Sequence, residues 1–395
     1  MKRVSVITRH AITNYGSLLQ ALATQKMIEK MGYECEIVNY IREDESYSKH
    51  EITLLKNKPN WYNNPIKRMA YLLLRQPESI LAGKKFEKVR NDVLNLSELY
   101  VTKKELHTNP PKADIYMTGS DQVWGPVENG SYDSSYCLSF VPENLKKISY
   151  AASFGHTDMT EKLSKYFQKY LDEYNHISVR EESAVEIIKK LGYEAKQVLD
   201  PTLLMNAEEW NEYVGKKING RYVLVYQLHN DKSLGEYAKK VAKAKGIPLI
   251  RVSVSMHQIN RPGKLVWAPD MGTFLSYIKN AECMITDSFH GTAFAINFNT
   301  PFVEVLPNNN TGTRNMSILK LTGLSERILR NRDDIKLANQ KIDFSYANKI
   351  LDNERKKSNE ILKSMLDSEK GRKLNWNIRT SRFQLLFLYI MLKNI

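Results

Sequence analysis

The feature that most constrains the fold is a repeated alternation of short apolar segments with helical ones. It first appears within the first forty residues, where an apolar run at 4–7 precedes a helical pattern with Leu18 and Leu22 on one stripe. Gly32 is expected to end this helix, and residues 36–40 are expected to form the next strand. Such a strand, helix, strand unit places two parallel strands side by side.

The alternation returns along the chain in two series. The first has apolar strands around Ile115, Tyr150, Val179 and Val198, with a helix predicted at 183–191. The second has strands within 221–228, 247–254, 283–286 and 301–306, separated by helical runs. Each series predicts a parallel, doubly wound sheet. The predicted fold class is therefore α/β, with two Rossmann-like domains that face one another across a cleft.

Three segments follow from these series. The first domain is predicted at 1–205 with an insertion at about 44–108, the second at 206–330, and a helical extension at 331–395. The end of the extension, 370–395, has six Lys or Arg, no Asp or Glu, and the apolar run FQLLFLYIML. Too short to span a bilayer, this tail either lies in a membrane interface or packs on the first domain.

Composition and charge restrict the classes of molecule that the protein is expected to bind. The formal net charge of +14 is compatible with nucleic acid, an anionic membrane surface or anionic substrates. The lysines are scattered and no nucleic-acid module is recognisable, so nucleic acid is not expected as a partner. Cys35, Cys137 and Cys283 are far apart and are expected to be buried thiols without zinc. No secretory signal is evident at the start, which predicts a cytoplasmic protein.

Polar residues collect directly after the predicted strands, where ligands bind in open parallel sheets. The candidates are Asn14, Tyr15, Gly16, Gly119, Ser120, Asp121, Arg180, Asp287, Ser288, His290, Gly291 and, in a polar loop, Arg314. Trp124 is interpreted as a packing residue in preference to a platform for sugar stacking.

His290 is the first candidate for acid or base chemistry, because an imidazole exchanges protons near neutral pH and Gly291 leaves room beside it. Arg180 is suited to grip a carboxylate or phosphate, and Arg314 is a further anion ligand. Each has a plain structural alternative: a satisfied histidine at a helix cap, an ion pair of Arg180 with Glu181 or Glu182, and a solvated loop arginine.

The turn TGSDQVW has a similar pair of interpretations. Asp121 orients a histidine or a sugar hydroxyl, or else it and Ser120 only cap a turn. Gly119 lets the backbone approach a ligand. The sequence lacks a Walker A loop, a dinucleotide fingerprint, an H-E-x-x-H motif and an Asp-x-Asp pair. No metal site and no cofactor are therefore predicted.

Five segments in this order resemble the polysaccharide pyruvyl transferase family. They are NYGSLLQALATQKMIEKMGY from residue 14, TGSDQVW at 118–124, SVREESAVEIIKKLGY at 178–193, LDPTLLM at 199–205 and ITDSFHGTAFAINFNTPFV at 285–303. The resemblance covers about residues 1–325.

The resemblance implies a GT-B-like fold and a pyruvyl transferase that uses phosphoenolpyruvate. The implied acceptor is a sugar of a capsular or envelope glycan, carried as a lipid-linked oligosaccharide or polysaccharide. The family's central histidine falls on His290, and the arginine of its S-x-R-E segment on Arg180. Some members carry an arginine where this chain has Ser288, which makes Arg314 the substitute as donor ligand. Apart from the resemblance, Asp121 is expected to complete the catalytic set, and the basic, apolar tail makes an anionic membrane surface a further expected partner.

Two other functions stay open at this point. The same architecture serves nucleotide-sugar glycosyltransferases, since a fold does not fix a function. A catalytically silent member that binds an anionic glycan is the other alternative.

Overall fold

The computed structural model describes residues 1–127, 130–157, 159–307 and 312–369, and every element below lies in these ranges. They contain two parallel sheets, each with buried strands and flanking helices. The predicted α/β class with two Rossmann-like, GT-B-like halves and a helical C-terminal stretch is confirmed.

The first sheet is built from the first half of the chain. Its strands are β1 Arg3–Ile7, β2 Glu34–Ile37, β3 Ile115–Thr118, β4 Lys146–Ala152, β5 His176–Val179 and β6 Lys196–Gln197. Their order across the sheet is β2-β1-β3-β4-β5-β6, and all neighbours are parallel. β1 therefore has β2 on one side and β3 on the other, and the chain reverses its direction of winding between β1 and β3.

The second sheet follows in the second half. Its strands are β7 Val223–Tyr226, β8 Leu249–Ser253, β9 Lys264–Trp267, β10 Cys283–Thr286 and β11 Phe302–Glu304. Their order is β11-β10-β7-β8-β9, again with parallel neighbours. Here the winding reverses between β7 and β10. In such sheets the crevice at the carboxyl ends of the two strands at the reversal is where ligands bind.

Helices connect and cover the strands. In chain order they are α1 Tyr15–Lys30, α2 His50–Lys56, α3 Pro59–Tyr62, α4 Pro65–Val93, α5 Lys103–Thr108, α6 Glu161–Leu171, α7 Glu182–Lys190, α8 Pro201–Leu204, α9 Ala207–Asn211, α10 Lys232–Lys245, α11 Met271–Lys279, α12 Phe289–Asn297, α13 Thr313–Leu321 and α14 Ser345–Asp367. Short 3₁₀ segments lie at Ser134–Cys137, Met256–Asn260, Ser325–Arg327 and Leu337–Asn339.

Helix α1 differs from the amphipathic helix that the sequence predicts. Almost its whole length is buried, because it lies between the two halves of the molecule. Leu18 and Leu22 share one hydrophobic core with Trp210 and Phe274 of the second half. The helix ends at Lys30 as expected. Sharing this core holds the two domains together through α1.

Two strands begin and end earlier than predicted, at Glu34–Ile37 in place of 36–40 and at Lys196–Gln197 in place of a strand around Val198, and each has a local reason to end there. β2 ends at Ile37 because the following residues pair with the end of the insertion, where Tyr100 N donates to Asn39 O at 2.9 Å. β6 ends at Gln197 because Asp200 begins α8, with its Oδ1 accepting from Thr202 N at 2.9 Å. The strand predicted around Val198 is thus only two residues long.

The insertion is helical, and α4 is its main element. The C-terminal helix α14 returns to the first half, where Leu362 and Leu366 pack against Val4 and Ile115. The tail at 370–395 lies outside the described residues. Within the described ranges, no helix combines the length and apolar character that crossing a bilayer requires. The domain boundaries at 205 and 330 stay predictions.

Candidate active site

The crevice between β1 and β3 in the first sheet faces the crevice between β7 and β10 in the second, and His290 lies where they meet. α1 begins at the carboxyl end of β1, where Asn14 Oδ1 accepts a hydrogen bond from Gly16 N at 2.7 Å. α12 begins at the carboxyl end of β10, where Ser288 Oγ accepts from Gly291 N at 3.2 Å. A methyl group on Gly16 would lie 2.1 Å from His290 Nδ1. Gly16 therefore leaves the space that the imidazole occupies.

A chain of buried charges surrounds this imidazole. Arg180 Nη1 donates to Asp200 Oδ2 at 2.8 Å, and Arg180 Nη2 lies 3.6 Å from Asp121 Oδ1. Arg180 Nε lies 3.6 Å from Glu181 Oε2, and His290 Nε2 lies 3.9 Å from Asp200 Oδ2. The ion pair of Arg180 with Glu181, expected at the surface, is therefore part of a buried network. Burying such charges costs free energy unless each one is compensated by a partner.

Arg314 joins the same cluster from the second half. It lies in the first turn of α13, not on the predicted loop, and its side chain is only 11 % exposed. Arg314 Nη1 lies 3.9 Å from Asp121 Oδ1. The guanidinium carbons of Arg180 and Arg314 lie 4.6 and 5.9 Å from the centre of the Phe289 ring. The two guanidinium groups are thus neighbours held against one aromatic ring.

Several nitrogens in the cluster have unused hydrogen-bonding capacity. Among the described residues, none hydrogen-bonds to Arg180 Nε or Nη2, to His290 Nε2 or to Arg314 Nε, although all four atoms are buried. Buried polar atoms normally have partners, and leaving one without costs about 1–3 kcal/mol. Donors of two guanidinium groups beside an imidazole are suited to an anion with several oxygens.

The charges shift one another's protonation. Burial would raise the pKa of Asp121, but Arg180, His290 and Arg314 hold it well below its usual range. Burial lowers the pKa of His290, and the two nearby arginines add to this against the opposing effect of Asp200 and Asp121. Burial and Arg180 lower the pKa of Arg314 to about 10. At neutral pH the site therefore holds charged carboxylates, charged arginines and a neutral imidazole.

The turn after β3 brings a carboxylate and a hydroxyl into the cluster. Gly119 has φ +111°, and a methyl group there would lie 2.1 Å from Tyr150 O, so no side chain fits. Ser120 Oγ lies 3.0 Å from both Asp200 Oδ2 and Ala151 O. The backbone approach predicted for Gly119 is thus toward the neighbouring strand β4.

Tyr15 and Asp287 are placed differently from the cluster. Tyr15 stacks on Phe274 at 4.0 Å between ring centres, and its hydroxyl donates to Pro269 O at 2.5 Å. These contacts join α1 to the second half. Asp287 accepts hydrogen bonds from the amides of Leu228 and His229 at 2.7 and 3.0 Å. It thereby ties the loop after β10 to the loop after β7.

Ser288 and Gly291 shape the start of α12. Ser288 is the N-cap described above, and it is buried. A methyl group at Gly291 would lie 2.6 Å from Thr286 Oγ1 and 2.9 Å from Met284 Cε, so Gly291 lets the helix start close to β10. Both residues hold His290 in place from within its own helix.

Sequence reasoning assigned no site role to three residues of the cluster, namely Asp200, Phe289 and Ser17. Ser17 Oγ donates to Asp121 Oδ2 at 3.2 Å. The available signal for Asp200 is an acidic residue between an apolar strand and Pro201, which is an N-cap position. For Phe289, the signal is an aromatic residue adjacent to the proposed catalytic histidine.

Trp124 and the cysteines lie in the hydrophobic cores. Trp124 is buried and packs on Phe154 with 5.2 Å between ring centres, as expected for a packing residue. Cys35, Cys137 and Cys283 are free and buried. Burial raises the pKa of Cys283 to about 11, which leaves this thiol protonated at neutral pH.

One cavity adjoins the cluster, and a larger one lies beside Asn14 at the start of α1. The larger, about 480 Å³, opens between the halves and is lined by the loop after β1, by the insertion and by the carboxyl ends of β7 and β8. Its polar lining includes both signs of charge, from Glu45 and Glu78 to Arg75 and Arg261. The smaller, about 90 Å³, is bounded by Arg180, Phe289 and Arg314 on the side of α13 and α14.

A family-level comparison matches most of the chain. The sequence model of a family described as polysaccharide pyruvyl transferase matches residues 14–310. This range contains Asn14, Asp121, Arg180, Asp200 and His290. A comparison with curated proteins returned no match.

A comparison with solved structures returned enzymes of other names at low identity. A UDP-GlcNAc 2-epimerase from Neisseria meningitidis, bound to UDP-GlcNAc, is 10 % identical with a TM-score of 0.49 over 93 % of this chain and 99 % of its own. A putative UDP-N-acetylglucosamine 2-epimerase from Listeria monocytogenes is 12 % identical, with a TM-score of 0.47 over 94 % and 98 %. A spinosyn rhamnosyltransferase is 9 % identical, with a TM-score of 0.44 over 93 % and 100 %. The fold assignment above rests on the strand order of the two sheets.

Proposed function

The chain belongs to the polysaccharide pyruvyl transferase family, and on that premise we propose that it moves the pyruvyl group of phosphoenolpyruvate onto a glycan and releases phosphate. The observation that carries the proposal is the group of buried nitrogens on Arg180, Arg314 and His290 that lack hydrogen-bond partners among the described residues. Phosphoenolpyruvate is a small molecule with a carboxylate and a phosphate. It therefore supplies the acceptor oxygens that these nitrogens lack.

The two arginines are the proposed donor ligands. Arg180 is oriented by Asp200 and Asp121, which leaves its remaining N–H groups for the donor. Arg314 reaches the same carboxylate, Asp121, from the other half of the molecule. Asp121 is thus proposed to position both guanidinium groups, and the cavity of about 90 Å³ beside them fits a small anion better than a nucleotide sugar.

His290 is the proposed general acid and base. Its proton goes to the methylene carbon of phosphoenolpyruvate, and a sugar hydroxyl forms a C–O bond to the central carbon. The proton of that hydroxyl returns to the imidazole. The bond to phosphate then breaks and its electron pair leaves with the phosphate, after which a second hydroxyl closes the ketal. One hydroxyl proton thus ends in the new methyl group and the other leaves with the phosphate.

The larger cavity is the proposed acceptor site. Its volume of about 480 Å³ lies within the range of small-ligand sites, about 300–1,000 Å³. Asn14 lines this cavity and caps the helix whose Gly16 lies against His290. We propose that a sugar bound there presents its hydroxyl to the imidazole. The proposed acceptor is a lipid-linked oligosaccharide or polysaccharide.

One contact weighs against the nucleotide-sugar alternative. A diphosphate bound at the carboxyl end of β7 needs free backbone amides in that loop. The amides of Leu228 and His229 donate to Asp287 instead.

Phosphate release from phosphoenolpyruvate tests the proposal, with lipid-linked glycans as acceptors and nucleotide sugars as competing donors. We expect acceptor-dependent phosphate release by the wild type and a loss of about 10²-fold or more in His290→Asn. His107→Asn, in α5, is the matched control and should keep full activity. Transfer from a nucleotide sugar alone would assign the glycosyltransferase function, and no transfer from any donor would assign the silent binding function.

A further inference from the structure

Helix α4 of the insertion presents an apolar face to solvent. Its exposed large apolar residues are Ile66, Met69, Leu73, Leu74 and Leu81, and the helical repeat places these positions on one side of the helix. The side chains of Leu73 and Leu74 are 70 % and 78 % exposed. Trp61, just before the helix, is also exposed. Contiguous apolar surface of this kind indicates an interaction site.

The opposite side of α4 is fixed to the rest of the molecule. Tyr71 donates through its hydroxyl to Glu51 Oε2 at 2.9 Å, and Arg75 Nε lies 3.6 Å from the same carboxylate. Glu78 accepts a hydrogen bond from Ser255 Oγ of the second half at 3.0 Å. The apolar face is therefore presented by an anchored helix.

Positive charge surrounds this face. Residues 52–74 contain four Lys or Arg and no Asp or Glu. Lys67 Nζ lies 6.0 Å from the ring centre of the exposed Trp61. Lysines beside exposed aromatic and aliphatic side chains are typical of helices that lie in the interface of an anionic membrane. A second copy of the chain would bring the same positive charges together, which opposes self-association.

We propose that the exposed face of α4, defined by Trp61, Ile66, Met69, Leu73 and Leu74, docks on an anionic lipid bilayer. Arg75, Glu78 and Ala82 of the same helix line the large cavity. Docking would thus hold this cavity beside the membrane surface, where the head of a lipid-linked glycan lies. The identity of that acceptor rests on the proposed function, whereas the docking itself rests on α4.

Vesicle co-sedimentation of the full-length chain tests the docking. The probes are vesicles of phosphatidylcholine alone and of phosphatidylcholine with phosphatidylglycerol. We expect the wild type to bind only the anionic vesicles, and less strongly as salt is raised. The double variant Leu73→Gln with Leu74→Gln should bind these vesicles at least about tenfold more weakly, because it removes exposed apolar groups without changing the charge. Leu99→Gln with Val101→Gln, also exposed but outside the face, should bind like the wild type.

A label locates the contact. The three native cysteines are buried, so an environment-sensitive fluorophore can be attached at Leu73→Cys or, as the control, at Leu99→Cys. A blue shift on adding anionic vesicles is expected for the first position and not for the second. Wild-type binding by the Leu73/Leu74 double variant would overturn the proposal, as would a dimer in solution that this variant dissociates. Phosphate release with a water-soluble acceptor should be unchanged in that variant, which separates docking from catalysis.

Discussion

At Gly16 the smallest side chain determines where the catalytic candidate can lie. The residue has ordinary helical conformation in the first turn of α1, and alanine is the better helix former. Its hydrogen is nevertheless required, because a methyl group would lie 2.1 Å from His290 Nδ1. Gly16→Ala should therefore leave the melting temperature nearly unchanged but lower kcat for phosphate release by about tenfold or more, through displacement of the imidazole. Wild-type kcat in this variant would contradict the packing described for His290.

The protonation of His290 gives a second prediction at this scale. Burial keeps the imidazole neutral in the free enzyme, but a bound phosphoenolpyruvate adds negative charge beside it and raises its pKa. If the acid form acts, kcat/KM for phosphoenolpyruvate should fall as the pH rises, because it reports the free enzyme. The fall in kcat should come at a higher pH, because it reports the complex. Coincident pH profiles for kcat and kcat/KM would exclude this donor-linked protonation.

Several site residues could be predicted from the sequence because the ends of strands are recognisable. Asp121, Arg180 and His290 each lie one to four residues after an apolar strand, and parallel strands bring such positions to one edge. Asp200 also follows a predicted strand, the one around Val198, but an acidic residue before a proline is typical of a helix N-cap, so no site role was assigned to it. That the side chain of Arg314 is only 11 % exposed could not be foreseen either, because it depends on contacts of α13 with the first half.

At the scale of elements, one buried carboxyl joins the strand and helices behind the site. Glu304 ends β11, and its Oε1 accepts from Asn315 Nδ2 of α13 at 2.7 Å. Its other oxygen hydrogen-bonds to Thr292 Oγ1 of α12, which donates to Ser288 O at 3.1 Å. If Glu304 is protonated and donates to Thr292 Oγ1, both of its oxygens and the Thr292 hydroxyl have hydrogen-bond partners. Burial accordingly raises the pKa of Glu304 to about 8.

This shift makes stability depend on pH. The pKa is raised above 4.5, its ordinary value, so the contribution of Glu304 is complete below pH 4.5 and is lost as the pH rises through about 8. Glu304→Gln keeps the same hydrogen bonds without titrating. The free energy of unfolding, from denaturant titrations across this range, should decline with pH less in Glu304→Gln than in the wild type. The exposed control Glu143→Gln should keep the wild-type slope, and an equal slope in all three would contradict a neutral Glu304.

The element pattern explains which parts of the fold were predictable. Alternating strands and helices in two series were sufficient to predict two parallel sheets. The insertion lacked that pattern, so α4 and its exposed face emerge only from the structure. α1 was predicted to be amphipathic, yet it is buried nearly all round because a second domain covers the side that a lone domain would expose.

At the scale of the whole molecule, α14 links the halves. Leu351 belongs to the core that contains Trp210 of the second half, while Leu362 packs with Val4 and Ile115 of the first sheet. Leu362→Ala should therefore lower the free energy of unfolding by about 2–5 kcal/mol, as expected for a fully buried leucine. The exposed neighbour Lys363→Ala is the control. Denaturant unfolding measures both, and an effect below about 0.5 kcal/mol in Leu362→Ala would contradict the docking of α14 on the first half.

The site is assembled only when both domains are present. Arg180, Asp121 and Asp200 come from the first half, and His290 and Arg314 come from the second. Neither half alone holds both guanidinium groups beside the imidazole. The central claim is therefore that this joint site transfers a pyruvyl group.

Mass spectrometry of the glycan product tests that claim most directly. The full-length enzyme is incubated with phosphoenolpyruvate and a lipid-linked glycan acceptor, with Arg180→Lys as a variant that keeps the charge but loses the planar, two-pronged donor. We predict that the acceptor gains the mass of one pyruvate less one water, and that the variant needs a higher phosphoenolpyruvate concentration for the same gain. An acceptor that is unchanged by phosphoenolpyruvate but gains a sugar unit from a nucleotide sugar would contradict the account.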